Sequence, residues 1–347
     1  MILKIQKKKY DLTIKPFVIA EIGHNHQGSL KLAKEMILKA KECGADAVKF
    51  QKRDNKNLFT KKLYDQSYDN ANSYGDTYGS HREVLEFGKK EYKAIIKYAN
   101  SINIIAFATP FDFNSLIFLE DIGVSLYKIA SADLTNTPLI EEIAKKNKPI
   151  FLSTGGGKIE DIKRAVKSIE KFHKKLIILH CTAAYPVELN EMNLRVITKL
   201  KKLFPKYIIG LSDHENGIDA ASIAFMLGAR VFEKHFTLNH AWKGTDNSFS
   251  LEPNGLRKMI RNLNRIPLML GDGNKKIYES EKNALKKMSK SIVASKNLKK
   301  NHVIKLSDIT FKSPGGGMKP FDYKKIINKR IKKDIQKDEI FTYKMIY

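Results

Sequence analysis

Residues 230–236 read RVFEKHF. The apolar start marks a buried strand, yet Glu233, Lys234 and His235 fall at its end, where an unpaired charge is costly. Such groups either pair with one another or face a site. The loop that follows, TLNHAWKGTDNSFSLEP (237–253), adds Asp246, Asn247 and Ser248. Seven earlier runs have the same form: FVIAEIG (17–23), DAVKFQ (46–51), IIAFATP (104–110), SLYKIAS (125–131), PIFLST (149–154), LIILHCT (176–182) and YIIGLS (207–212). Between them, LKLAKEMILKAKECGA (30–45), KKEYKAIIKYANSI (89–102) and GIDAASIAFMLGA (217–229) place apolar residues at helical spacing. Near-continuous apolar strands belong to a parallel sheet covered by helices. Eight such units in about 250 residues predict a (β/α)8 TIM barrel, class α/β. A doubly wound sheet is the alternative, but no GxGxxG follows the first strand.

The ends of the runs are polar: Glu21, Lys49, Gln51, Thr109, Lys128, Ser131, Ser153, His180, Thr182, Ser212, His214, Glu233 and His235. In a barrel these carboxyl ends meet at one mouth, the seat of the active site in this fold. His214 and His235 end adjacent strands, and with Asp213, Glu233 and Asp246 they suit a divalent ion such as manganese, iron or cobalt. A single histidine there would more simply be a structural hydrogen-bonder. A zinc site lacks an evident third strong ligand. Lys49 and Lys128, with Ser131, Ser153 and Ser212, offer cations and hydroxyls for a phosphate or carboxylate. A Schiff-base lysine and snorkelling at the rim are the competing readings. STGGGK (153–158) could bind an anion through backbone N–H groups. SPGGGMKP (313–320) lacks the GK[ST] ending of a phosphate loop and reads as a turn.

The 347 residues, 42% of them hydrophobic, can bury a large core, and the formal net charge is +26. The lysines are spread through segments such as KIQKKK (4–9), KKNK (145–148) and NKKI (274–277). That distribution favours solvated helix faces over a nucleic-acid surface, and a basic envelope also attracts small anions. The two cysteines, Cys43 and Cys181, form no CxxC pair, which excludes a disulfide framework or zinc ribbon and fits a reducing cytoplasm. No run approaches the ~20 apolar residues of a membrane span, so no membrane is an expected partner, and the scattered lysines make nucleic acid an unexpected one. The texture changes after GDGN (271–274). A barrel domain over 1–271, a charged helical linker over 272–290 and a small β-rich domain over 291–347 are expected.

Ordered along the chain, IAEIGHNHQGSLKLAKEMILKAKECGADAVKFQ (19–51), KIASADLTN (128–136), STGGGK, HCTAAYP (180–186), GLSDHENGI (210–218) and FEKHFTL…KGTDNSFSLEP (232–253) resemble the sialic acid synthase family. SIVASKNLKKNHVI…PGGGMKP (291–320) resembles its antifreeze-like (SAF) domain. TYGSHREVLEF (77–87) and WKGTD (242–246) are similar to the animal sialic acid 9-phosphate synthase subgroup. The resemblance implies condensation of phosphoenolpyruvate (PEP) with an N-acetylmannosamine-type sugar. Carbon–carbon bond formation, water addition at PEP C2 and phosphate release would follow one another. A diacetylated bacillosamine-type acceptor, leading to legionaminate or pseudaminate, or a hexose 6-phosphate stays open; a related octulosonate or heptulosonate phosphate synthase is the enzymatic runner-up. A basic nucleic-acid-binding protein and a catalytically dead carbohydrate- or ice-binding relative are the non-enzymatic ones.

By position in these motifs, Lys49, Lys128, Ser131, Ser153 and Ser212 would bind PEP. Gln51, Tyr185, Glu233 and Asp246 would bind the sugar. His214 and His235 would hold the metal, manganese first, magnesium or cobalt otherwise. Glu21, Asp133 and Asp246 would be catalytic, with Asp133 as general base toward water. The resemblance also implies a cytoplasmic homodimer in which each SAF domain caps the partner's barrel. Two departures bear on the sugar: Ser313 stands where bacterial members commonly have Arg, and Ala183 where many have Asn.

Overall fold

The computed structural model describes residues 1–5 and 7–347. They divide into two units, Met1–Leu270 and Gly271–Tyr347. The first opens with a hairpin, β1 (Ile2–Ile5) antiparallel to β2 (Lys8–Asp11). Eight parallel strands follow: β3 (Phe17–Gly23), β4 (Ala47–Lys52), β5 (Ile105–Pro110), β6 (Tyr127–Ile129), β7 (Ile150–Ser153), β8 (Leu176–Cys181), β9 (Ile208–Asp213) and β10 (Val231–His235). They hydrogen-bond in chain order, and β10 closes onto β3 to complete a TIM barrel.

Alternation along each strand separates two cores. Val18, Ala20, Val48, Phe50, Ile178 and Phe232 face the surrounding helices, whose apolar stripes cover them. The helix Leu30–Glu42 shows the local logic: Ser29 caps it by accepting from the Leu32 N–H, and Ala33, Met36, Ile37 and Ala40 form its buried face.

The intervening residues point into the barrel. At its amino-terminal end these are Phe17, Ile19, Ala47, Phe107, Leu126, Phe151, Ile177 and Val231, sealed by Leu3, Ile5 and Leu12 of the hairpin segment. One or two steps further along the same inward rows stand Glu21, Lys49, Lys128, Ser153, Ser212 and Glu233. The interior therefore changes from apolar to ionic over one pleat repeat. Register brings these groups side by side, with Glu21 opposite Lys49, Glu233 opposite Ser212, and His235 opposite Glu21.

The second unit holds the helix Glu279–Met288 and then β11 (Ser291–Ala294) antiparallel to β12 (Ile309–Lys312). Isolated bridges such as Leu298 to Ile335 and Val303 to Arg330 extend the pairing. Ile292, Leu298, Ile304, Ile326, Ile331, Ile335 and Phe341 form its own core.

Candidate active site

The deepest polar layer is an ion-pair cluster. Lys49 Nζ lies 2.9 Å from Glu21 Oε2 and 3.7 Å from Glu233 Oε1. Lys128 Nζ donates to Glu233 Oε1 at 2.9 Å, and Ser212 Oγ donates to the same oxygen at 3.2 Å. All five side chains are buried. Burial works against ionisation of each, and the opposing charges decide the outcome. Glu233, between two ammoniums, is held down to about 2. Burial outweighs Lys49 at Glu21, whose carboxyl is raised. Lys128 is pushed down by burial despite Glu233. At Lys49 burial is overcome by Glu21 and Glu233, and the ammonium is raised. Glu233 Oε2 and the nearby Ser153 Oγ are buried without a hydrogen-bond partner among the described residues. Buried polar atoms are rarely left so, and their clustering marks a place built for a polar guest.

Above this layer sit the two imidazoles, with ring centroids 5.3 Å apart. The His214 Nδ1–H donates to the Thr182 carbonyl at 2.8 Å, which leaves Nε2 with its lone pair. His235 Nδ1 is buried without a hydrogen-bond partner and 3.6 Å from Asp246 Oδ2. Burial pushes both rings down to about 4, so both are neutral near pH 7 and fit as metal ligands. Among the described residues, no three His, Cys, Asp or Glu side chains form a ready metal cluster. The donor chemistry therefore fits an ion held by two imidazoles, with its other positions open. The Tyr185 ring lies 4.1 Å from that of His214.

The loop bearing Asp246 is fixed by its neighbours. Thr237 Oγ1 donates to Asn247 Oδ1 at 2.6 Å, and Asn25 Nδ2 donates to Ser250 Oγ at 2.9 Å. Gly23 (φ +51°) lies beneath it, where a Cβ would stand 3.2 Å from Gln51 Nε2 and 3.5 Å from Asp246 Oδ2. Asp133, in the turn Ser131–Asp133, is raised by burial, and its Oδ2 is unpartnered among the described residues.

A cavity of about 700 Å³ opens over these groups, lined by Gln51, Ser131, Gly155, Tyr185, His235 and Asp246 among others. Lys49, Lys128, Ser153, Ser212, Glu21 and Glu233 form the layer beneath it rather than its wall, and neither Asp133 nor His214 is part of that wall. Not every polar strand end turns to the mouth. His180 donates to the Met192 carbonyl and Thr182 to that of Glu191. Lys234, the middle residue of the EKH triplet, faces the helices and pairs with Asp213 at 2.6 Å. Two residues of the cavity wall, Arg53 and Arg82, and His24 held between them were not foreseen as site residues. Arg53 has a visible signal, since it directly follows a strand; Arg82 lies in a short helix with none.

A parallel barrel with cations, neutral imidazoles and carboxylates gathered at its carboxyl end defines an enzyme-type site for an anionic substrate. Residues 36–275 match the NeuB family and residues 289–346 the SAF domain. The chain belongs to the NeuB, or sialic acid synthase, family and carries its SAF domain. It is 36% identical over 331 residues to N-acetylneuraminate-9-phosphate synthase of Homo sapiens, covering 95% of this chain and 92% of that one. It is 37% identical over 330 residues to N,N'-diacetyllegionaminic acid synthase of Campylobacter jejuni, covering 94% and 98%. Among solved structures, N-acetylneuraminic acid synthetase from Leptospira borgpetersenii, in complex with citrate, superposes with a TM-score of 0.71 at 33% identity. That match covers 82% of this chain and 95% of the other.

Proposed function

We propose that this chain condenses PEP with an N-acetylmannosamine-type amino sugar. The observation that carries the reading is the stacked arrangement: two buried ammoniums below, two neutral imidazoles above, and unpartnered oxygens of Glu233 and Ser153 in the lower layer. In the reaction, PEP C3 bonds to the aldehyde carbon of the sugar. Water adds at C2 of the resulting cation, and inorganic phosphate leaves, to give a 2-keto-3-deoxy acid.

Lys49 and Lys128, with Ser131, Ser153 and Ser212, hold the PEP anion. An anion arriving there competes with Glu21 and Glu233 for the ammoniums. Glu21, whose carboxyl is already raised by burial, is the group that takes up a proton in exchange. Asp133, also raised, accepts a proton from the attacking water. Gln51, Tyr185, Glu233 and Asp246 orient the sugar. His214 and His235 would hold a divalent ion, manganese by preference with magnesium or cobalt as substitutes, which when bound polarises the sugar aldehyde. A homodimer in which each SAF domain caps the partner's barrel would keep bulk water from the cation; light scattering that finds an active monomer refutes it.

The test is to mix the protein with PEP, a divalent metal and a panel of hexosamines, and to follow phosphate release. Turnover with an N-acetylmannosamine-type or diacetylated sugar is expected; none with any sugar sinks the reading.

A further inference from the structure

Arg53 and Arg82 meet across one histidine at the upper edge of the cavity. Arg53 Nη1 lies 3.1 Å from His24 Nε2, and Arg82 Nη1 lies 3.1 Å from His24 Nδ1. A neutral imidazole has one acceptor nitrogen and one N–H. Burial and the two guanidiniums keep His24 well below its ordinary range, hence uncharged. One of the two arginine donors therefore faces another donor and has no acceptor there.

The remaining contacts do not make up the difference. Arg53 is 9% exposed, lies flat over the Phe111 ring at 3.8 Å and donates to Gln51 Oε1 at 2.6 Å. Its only carboxylate within 4.0 Å among the described residues is Glu86, whose Oε1 stands 4.0 Å from Arg53 and 3.5 Å from His24 Nε2, beyond hydrogen-bond reach, while Lys52 holds Oε2 at 3.0 Å. Arg82 donates to Tyr78 OH at 3.0 Å; its Nε is buried without a partner, and no carboxylate lies within 4.0 Å of it among the described residues. Asp246, the carboxylate lining the same cavity, stands 3.6 Å from His235.

We propose that Arg53 and Arg82 form a phosphate subsite for the acceptor, which makes the acceptor an amino sugar phosphorylated at the carbon farthest from its aldehyde. The proposal rests on the PEP condensation above. Two features favour this guest. Paired guanidinium forks match phosphate oxygens better than ammoniums do. The pair is also a second cationic pole, separate from the first. A chain of contacts runs from Lys49 to Glu21 (2.9 Å), from Gln51 to Glu21 (2.7 Å) and from Arg53 to Gln51 (2.6 Å). With PEP on the lysines at one end of this chain, the sugar spans toward the arginines at the other. Overall identity does not choose the acceptor, because the 9-phosphate synthase and the legionaminic acid synthase stand at 36% and 37%. The arginine pair does.

The test compares N-acetylmannosamine with its 6-phosphate on the full chain, by calorimetry and by phosphate release in the presence of PEP. The phosphorylated sugar should be preferred about 10- to 100-fold in Kd and in kcat/KM, the scale of charge-assisted hydrogen bonds. Arg82→Gln and Arg53→Gln should each erase the preference and leave the KM for PEP unchanged. Equal affinity for the two sugars overturns the subsite, as does a variant whose loss falls on the KM for PEP. If no sugar is turned over, the condensation fails, and the calorimetric preference still decides the subsite: its presence sustains the phosphate site, its absence rejects it.

Discussion

The two ends of the barrel use the same eight strands and bury their residues equally well, yet they are held by opposite means. At the amino-terminal end Phe17, Phe107 and Phe151 pack against one another, with Phe17 and Phe151 at 6.2 Å and Phe107 and Phe151 at 5.8 Å between centroids. Leu3, Ile5 and Leu12 close that end. Every buried group there gains from leaving water. One or two inward steps later, Glu21, Lys49, Lys128 and Glu233 gain little from burial and are held by each other. Ion pairs of this kind commonly contribute no more than an apolar replacement would. The carboxyl end is thus maintained at a cost in stability, and the physical reason to maintain it is chemistry.

Substitutions at either end sharpen or break this contrast. The largest effect is expected from His235→Ala, which should lower turnover about 10³-fold while the circular dichroism spectrum and a cooperative melt survive. Wild-type turnover would remove His235 from the site. Next, Phe151→Ala should destabilise by about 3–5 kcal/mol through loss of packing and a residual cavity. Turnover per folded molecule should be unaltered; a change in kcat without loss of stability would show that the two ends are not separable. Smaller still, Lys49→Met with Glu21→Leu removes one buried ion pair together and should shift stability by less than about 2 kcal/mol, in either direction. Lys49→Met alone, which strands Glu21, should cost about 3–5 kcal/mol. Denaturant melts that rank the double variant below the single one would contradict the ion-pair account.

The most gradual effect lies in pH. His26 is buried, stacks on Phe87 at 4.1 Å and is pushed down to about 3 by burial. Because the unfolded chain binds this proton first, near pH 6.5, the contribution of His26 is complete above that value. It declines as pH falls toward about 3, by roughly 1.4 kcal/mol per pH unit. His26→Gln should flatten the measured slope by about that amount; an unchanged slope would place the proton elsewhere.

Much of this was legible in the residues. The eight apolar runs match the eight barrel strands to within two residues at either end, because a strand buried on both faces leaves an unbroken apolar signature. Polar strand ends marked the mouth. What the residues could not show was which way each end turned. In the EKH triplet, Glu233 and His235 face inward and Lys234 faces the helices, a consequence of strand alternation. His180 likewise turns to the Met192 carbonyl. Arg82 and His24 were silent because their meeting depends on a contact across 58 positions.

Hydrophobic periodicity acts over one strand or one helix at a time, so sequence alone determined the elements, their order, the parallel barrel and the family. Lys128 meets Glu233 across 105 positions and His24 lies between Arg53 and Arg82. Those pairings, and with them the protonation states and the partition into an anion floor and an upper arginine pole, were decided only by the closed fold. Electrostatic interaction depends on distance and burial, and neither exists until the last strand joins the first.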